Sequence, residues 1–205
     1  VYIGLAVAEA DPSMGWITTF YMEHNWLLTM FPEQLQDEVF GSQPYVLAPG
    51  SVNPNAGRAI ANGDGTYTLS GHWTFGTGIC HADWVLLSGR VGDDDPTPRN
   101  FLTRVEDVEV KDTWHVDGMA ATGSRDIIGT DVIVPEHRVS LFPPPQMFAE
   151  PGDPYLLRIP VLPFLSSTAA MPAVSAAKRS LALFEARLFD RVMFGTTRTQ
   201  SQRVP

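Results

Sequence analysis

The order of apolar and polar positions divides the chain into a helical beginning, an alternating middle and a helical end. Residues 1–40 read as helix. Ser13 is placed to cap a run from Met14 to about Phe31. Pro32 suits the first turn of a second helix that has Glu33 near its positive end and stops at Gly41. Within the first run Trp16, Phe20 and His24 fall at i, i+4 and i+8, a broad aromatic face across two turns.

From Tyr45 to about Val139 the period changes to two. Asn62-Gly63-Asp64-Gly65 is a hairpin turn signal, and Tyr67-Thr68-Leu69-Ser70 alternates after it. Trp84–Leu87, Phe101-Leu102, Val108–Val110 and Asp131–Val134 read as further strands, with turns at Gly92–Pro98 and Gly118–Ser124. Short strands at this spacing predict an antiparallel sandwich or barrel, the last strand stopping at Pro135. Residues 143–164 hold seven prolines and read as a linker or wrapped loop. Helix resumes near Ala173, where Leu181, Phe184, Leu188 and Val192 form a stripe that Gly195 terminates. Such a stripe must be buried, against the first helices or against chain beyond Pro205. The expected division is 1–44, 45–142 and 143–205.

Composition narrows the function classes. The 205 residues are 44% hydrophobic and 18% charged, proportions of a folded chain. Residues 1–57 carry six acids and no Lys or Arg; 58–150 carry fourteen acids and seven bases; 151–205 carry three acids and seven bases. Phosphate-backbone binding needs a basic face, so nucleic acid is not an expected partner, whereas the basic end suits a smaller anion such as a cofactor phosphate. No apolar run reaches the ~18 residues of a membrane span, so no membrane partner is expected. One cysteine excludes an intramolecular disulfide and fits a reducing compartment, the cytoplasm. The first residue is Val, and the expectation is a piece of a longer chain.

Few residues carry chemistry on spacing alone. The five histidines form no metal-ligand pattern, and no metal is expected. Cys80 and His81, read as strand neighbours, point to opposite faces and cannot act as thiolate and base. The Trp16–Phe20–His24 face serves either as core or as a site in which the imidazole meets a substrate hydroxyl. In Gly71-His72-Trp73-Thr74-Phe75-Gly76-Thr77-Gly78 small residues alternate with aromatics. That segment is either a bulge in the sheet or a place where a flat ring approaches the backbone, with Thr77 as hydrogen-bond partner.

The residues from Gly57 to Phe142 resemble the flavin-dependent monooxygenases built on the acyl-CoA dehydrogenase fold, the oxygenase components of two-component systems. The resemblance is carried by Tyr67 through Gly78, His81-Ala82-Asp83-Trp84-Val85, Asp112 through Gly118, Thr122-Gly123-Ser124 and Asp131 through Pro135. It extends to Gly15-Trp16 through His24 and to the last helix, and it covers only the middle of a family chain. It implies an α+β, acyl-CoA dehydrogenase-like fold: a helical N-terminal part, an antiparallel β domain and the start of a C-terminal helical bundle.

The resemblance also implies roles. Trp16 and His24 would lie beside flavin and substrate, with His24 hydrogen-bonding a substrate hydroxyl or managing the flavin–oxygen adduct. Phe75, Gly76 and Thr77 stand where the family places a hydroxyl near flavin N5, and Ser51 stands where its flavin-edge loop begins. Arg191 and Phe194, in Arg191-Val192-Met193-Phe194-Gly195, match a helix end that meets a neighbouring subunit's cofactor phosphates. The implied reaction uses reduced FMN or FAD from a separate reductase and O₂, through a C4a-hydroperoxide, to oxygenate a small aromatic or heteroaromatic substrate in a homo-oligomer, a tetramer or dimer of dimers. An acyl-CoA dehydrogenase and a non-catalytic flavin-binding or assembly fragment are the alternatives.

Overall fold

Asp11, not Ser13, caps the long second helix. The residue before a proline is held extended, and Asp11 (φ −150°, ψ 119°) accepts a hydrogen bond from the Met14 amide at 2.9 Å, with Pro12 opening the first turn. The computed structural model describes residues 2–92, 95–142 and 155–202. Its helices are α1 (Tyr2–Ala10), α2 (Pro12–Leu28), α3 (Glu33–Phe40) and α4 (Val161–Asp190). α2 therefore ends three residues before Phe31, at a cap formed by Thr29. Pro32 and Gly41 bound α3 as expected.

The strands are β1 (Gly50–Ser51), β2 (Gly57–Ala61), β3 (Thr66–Gly76), β4 (Trp84–Val91), β5 (Asp95–Arg104), β6 (Glu109–Lys111), β7 (Arg125–Pro135) and β8 (Val139–Leu141). They form one sheet in the order β6-β7-β3-β2-β4-β5-β8, with β1 added to β4. Two pairings, β1–β4 and β2–β4, are parallel, which corrects the purely antiparallel expectation. The chain leaves the β2–β3 hairpin and returns beside β2, not β3, so β4 runs in the direction of β2. Pro135 does end β7, but β8 follows it after a short turn and completes the edge beside β5. The Gly92–Pro98 turn is also shorter than expected, because β5 begins at Asp95.

Strand β4 separates two cores. Trp84 and Leu86 point to a layer built with Leu27, Leu28, Leu35 and Val39 of the helices. Val85 and Leu87 point the other way, into a core with Leu69, Trp73, Phe101 and Ile127. A strand buried on both faces reads as a continuous apolar run, which is what Trp84–Leu87 is. The sheet curls enough for Tyr67 on β3 and Phe101 on β5 to meet edge-on, centroids 5.8 Å apart. Trp73 fills the curl, fully buried, and its indole N–H donates to the Ser88 carbonyl at 2.7 Å. Gly57 and Gly71 make room for it: a Cβ on either would stand 2.4 or 2.7 Å from the indole.

Helix α4 starts at Val161, twelve residues before the expected Ala173. Pro163 lies in the first turn, where no amide donor is needed, and Pro172 is carried inside the helix in a buried position. The first half packs on α1 and α2, tied by Ser175 Oγ to the Leu5 carbonyl (2.9 Å) and by Lys178 to Glu9 (2.8 Å). The stripe residues Leu181 and Phe184 are 57% and 56% exposed. Val192 lies outside the helix, and the terminator is Arg191 rather than Gly195. Gly195 (φ 76°) instead serves a turn closed by the Val192–Thr199 bridge. Residues 143–154 of the proline-rich stretch lie outside the described residues; Tyr155–Arg158 is a 3-10 turn.

Candidate functional site

The aromatic face of α2 and the end of β3 come together. Trp16, Phe20, Phe75, Thr77, Trp114, Met119, Thr122 and Ser124 line one cavity of about 290 Å³. The register of β3 against β7 slips between Trp73 and Gly76, so the segment is a bulge. Phe75, at φ 64°, occupies a conformation that non-glycine residues rarely adopt, and its ring stands 66% exposed at the cavity rim. Trp114 meets it edge-on at 6.0 Å. The bulge thus stands at the rim of the cavity.

Behind the rings runs a chain of hydroxyls whose direction can be assigned. Thr122 Oγ1 donates its one proton to the Met119 carbonyl at 2.9 Å. The 3.3 Å contact between Thr122 and Ser124 then requires Ser124 to be the donor. Ser124 has no second proton, so in the 2.9 Å contact with Thr77 the donor is Thr77, whose proton also has the Phe75 carbonyl at 3.4 Å. Trp16 Nε1 donates to Thr77 Oγ1 at 3.4 Å. Every donor is committed, and Thr77 presents acceptor capacity only. The Met119 carbonyl that anchors the chain also accepts from Trp114 Nε1 at 3.2 Å, and Met119 itself is left-handed at φ 58°.

The α2 side is locked by Tyr21, whose hydroxyl donates to the Gly78 carbonyl at 2.7 Å; burial, with Cys80 nearby, pushes its pKa up to about 12. Gly78 is left-handed (φ 80°), and a Cβ there would stand 2.6 Å from that hydroxyl. Tyr21→Phe should cost about 1 kcal/mol, the net worth of one hydrogen bond, read as a lower urea midpoint with unchanged m-value.

His24 lies at the far end of the stripe. Its ring packs on Phe20 (5.1 Å) as Phe20 packs on Trp16 (5.2 Å), but it is only 2% exposed and does not line the Thr77 cavity. Nδ1 lies 2.7 Å from the Ala48 carbonyl, an acceptor only, so Nδ1 carries the proton and Nε2 the lone pair. Burial lowers its pKa to about 4, partly countered by that hydrogen bond. Nε2 faces Glu23 Oε1 at 4.0 Å.

The other expected site residues lie apart from this lining. Ser51 sits on β1 opposite Leu87, and Gly76 is buried against Ile127. Arg191 caps α4, and Phe194 is fully exposed in the following turn. Cys80 and His81 belong to a one-turn 3-10 helix, Ile79–His81, not to a strand. Trp114, Met119 and the hydroxyl roles of Thr122 and Ser124 were not singled out from sequence; the Thr-Gly-Ser hydroxyls read as turn residues there. Among the described residues no cluster of three or more His, Cys, Asp or Glu could hold a metal ion, and no helix is long and apolar enough to cross a membrane.

A mixed sheet flanked by these helices is the architecture of the acyl-CoA dehydrogenase-like monooxygenases, and the chain is a sequence relative of their flavin-dependent oxygenase components. It is 37% identical to a pigment production hydroxylase from a Rhodococcus species, over 90% of this chain and 49% of that protein. It is 34% identical to the oxygenase component of an FADH(2)-dependent resorcinol hydroxylase from a Rhizobium species, over 100% of this chain and 51% of that protein. The structure of XiaF from a Streptomyces species, in complex with FADH2 and glycerol, superposes with a TM-score of 0.87 at 30% identity, covering 97% of this chain and 51% of XiaF. The chain thus spans about half the length of the curated relatives it matches. No protein-family model matches it.

Proposed function

We propose that the protein is the oxygenase component of a two-component flavin-dependent monooxygenase, taking reduced FMN or FAD from a separate reductase and hydroxylating a small aromatic substrate with O₂. The observation that carries this reading is the cavity in which aromatic rings surround a hydroxyl with only acceptor capacity. A reduced flavin is a flat ring system with N–H donors, so the residues present fit it: Trp16 and Phe75 as apolar walls, Thr77 as the acceptor for a ring N–H. An oxidised flavin offers a lone pair at the corresponding nitrogen and gains nothing from Thr77. The group supplies, when bound, the two electrons that let one atom of O₂ enter the substrate while the other leaves as water. Trp16, Phe20, Phe75 and Trp114 exclude water from that reaction. In this reading Nε2 of His24, held in one tautomer by Ala48, accepts a hydrogen bond from a substrate hydroxyl, which requires the buried imidazole to open to the cavity when substrate binds.

Ser51 and Gly76 complete the cofactor's surroundings in this reading, and Arg191 and Phe194 meet cofactor phosphates across a homo-oligomer. Residues 1–44, 45–142 and 143–205 are then parts of a helical, a β and a second helical domain.

The test is oxygen uptake and product formation by the full-length protein with reduced FMN or FAD and a panel of phenols. Substrate-dependent hydroxylated product is expected; oxygen consumption to peroxide alone with every phenol would refute the reading. Thr77→Val should weaken reduced-flavin binding by up to about tenfold, the value of one hydrogen bond, and leave oxidised-flavin binding nearly unchanged. An acyl-CoA dehydrogenase would instead bleach bound oxidised flavin anaerobically on addition of an acyl thioester.

A further inference from the structure

Asn25 follows His24 directly on α2, and both side chains reach the same extended segment, residues 45–49, ahead of β1. Val46 and Ala48 belong to no strand, yet both are buried, 2% and 0% exposed. Their peptide groups need the partners that a sheet would otherwise supply. Asn25 supplies them at Val46: its Oδ1 accepts from the Val46 amide at 2.9 Å, and its Nδ2 donates to the Val46 carbonyl at 2.8 Å. The second Nδ2 proton goes to the Tyr21 carbonyl, one turn back on α2, at 2.7 Å. All three bonds require one orientation of the side-chain amide, oxygen toward the Val46 N–H. The pairing copies the two-bond exchange of neighbouring antiparallel strands, with a side-chain amide in place of a peptide. Three residues on, the Pro49 carbonyl accepts from the Leu86 amide of β4 at 2.8 Å. The segment is thus pinned at Val46 and at Pro49, and Ala48 lies between the pins with its carbonyl 2.7 Å from His24 Nδ1.

We propose that Asn25 is a positioning residue for His24: by docking Val46 it holds the Ala48 carbonyl against Nδ1, and so keeps the proton on Nδ1 and the lone pair on Nε2. Which ring nitrogen of a neutral imidazole is protonated follows from the hydrogen bond the ring makes, so a displaced Ala48 carbonyl releases the tautomer. An aspartate at this position could not donate to either carbonyl, and an alanine would leave both Val46 groups unpaired. The use of that lone pair toward a substrate hydroxyl rests on the proposed oxygenase reading. The tautomer itself does not, and it is read without flavin or substrate.

The test uses full-length protein, ¹⁵N-labelled, at neutral pH, where the His24 ring carries no charge. Long-range ¹H–¹⁵N spectra of the imidazoles distinguish Nδ1–H from Nε2–H rings, and His24 is the signal lost in His24→Gln. In the unsubstituted protein His24 should show the Nδ1–H tautomer alone, and the Val46 amide should exchange with solvent as slowly as the Leu86 amide. In Asn25→Ala the His24 nitrogens should move to the shifts of mixed tautomers, and Val46 exchange should quicken by about tenfold, the value of one hydrogen bond. Tyr21→Phe also removes a hydrogen bond from α2 but leaves Val46 clamped, so it should keep the single tautomer. An Nε2–H ring or fast Val46 exchange in the unsubstituted protein, a single Nδ1–H tautomer retained in Asn25→Ala, or mixed tautomers in Tyr21→Phe would each overturn the proposal. Asn25→Asp, which keeps the acceptor for the Val46 amide and loses both donors, is read in the same way if the alanine variant fails to fold. If neither folds, the tautomer and the exchange rate of the unsubstituted protein decide. Oxygen uptake with phenols tests the oxygenase reading separately, and its failure would leave the tautomer result standing.

Discussion

Trp73→Ala should destabilise the protein by about 3–5 kcal/mol, the largest effect expected of any single core substitution here. The indole is fully buried and packs against Gly57 and Gly71, with Gly129 also in contact. Glycines have no side chain to move into the vacated space, and their backbones are pinned by the β2–β3 and β3–β7 ladders. The cavity therefore stays open. The Ser88 carbonyl also loses its donor, a further cost of an unsatisfied buried group. Urea unfolding checks the value; a loss under about 1 kcal/mol would mean that the sheet collapses around the gap. Gly71→Ala should be strongly destabilising alone and much less so beside Trp73→Ala, a coupling that a double-mutant cycle measures. Function should suffer as well, because Trp73 is the fixed end of the bulge that presents Phe75 and Thr77.

The second large effect is a pair of opposed pH dependences at neighbouring residues. Burial lowers the His24 pKa to about 4, so between about 6.5 and 4 the unfolded chain binds a proton that the folded protein does not. That contribution to stability is complete above pH 6.5 and is lost as pH falls toward 4. Burial raises the Glu23 pKa to about 7, the Thr168 hydrogen bond opposing it, so between about 4.5 and 7 the folded protein holds the extra proton. That contribution is complete below pH 4.5 and is lost as pH rises through 7. At about 1.4 kcal/mol per unit each spans roughly 3 kcal/mol, and between pH 4.5 and 6.5 the two nearly cancel. Relative to the unsubstituted protein, Glu23→Gln should gain about 3 kcal/mol between pH 4.5 and 7.5. His24→Gln should shift the opposite way between pH 4 and 6.5. Parallel stability–pH curves for the three proteins would show that neither group is held as the structure places it.

Much of the site was legible because its residues are close in sequence. Trp16, Phe20 and His24 share a face by helical spacing alone, and the stack of their rings follows from it. Phe75 and Thr77 stood out because aromatics and small residues alternate around them, and the structure adds the positive φ at Phe75 that turns the ring outward. The hydroxyl chain was not legible. Ser124 and Thr77 are 47 residues apart, and only the β3–β7 pairing and the turn before β7 bring their oxygens to 2.9 Å. Glu23 was equally silent: an acid on a helix reads as solvated until α4, more than a hundred residues later, covers it with Thr168.

Helix and strand boundaries failed where a local rule met a tertiary contact. The sequence placed the start of the last helix near Ala173, and the packing of α4 on α1 and α2 carries it back through Pro172 to Val161. The Leu181–Phe184 stripe predicted burial, and among the described residues it stays exposed, since periodicity says that a face is apolar without saying what covers it. By itself the sequence determined the helical face, the hairpin turn, the resemblance and the uneven charge, acidic up to residue 150 and basic after it, all of which depend on spacing or composition. The tertiary structure alone decided the parallel pairings of β4, the direction of the Trp16–Thr77–Ser124–Thr122 hydrogen bonds, and the enclosure of Glu23 beside His24. Those depend on which distant segments exclude water from one another, and burial is what turns an ordinary threonine or glutamate into a group with a defined proton.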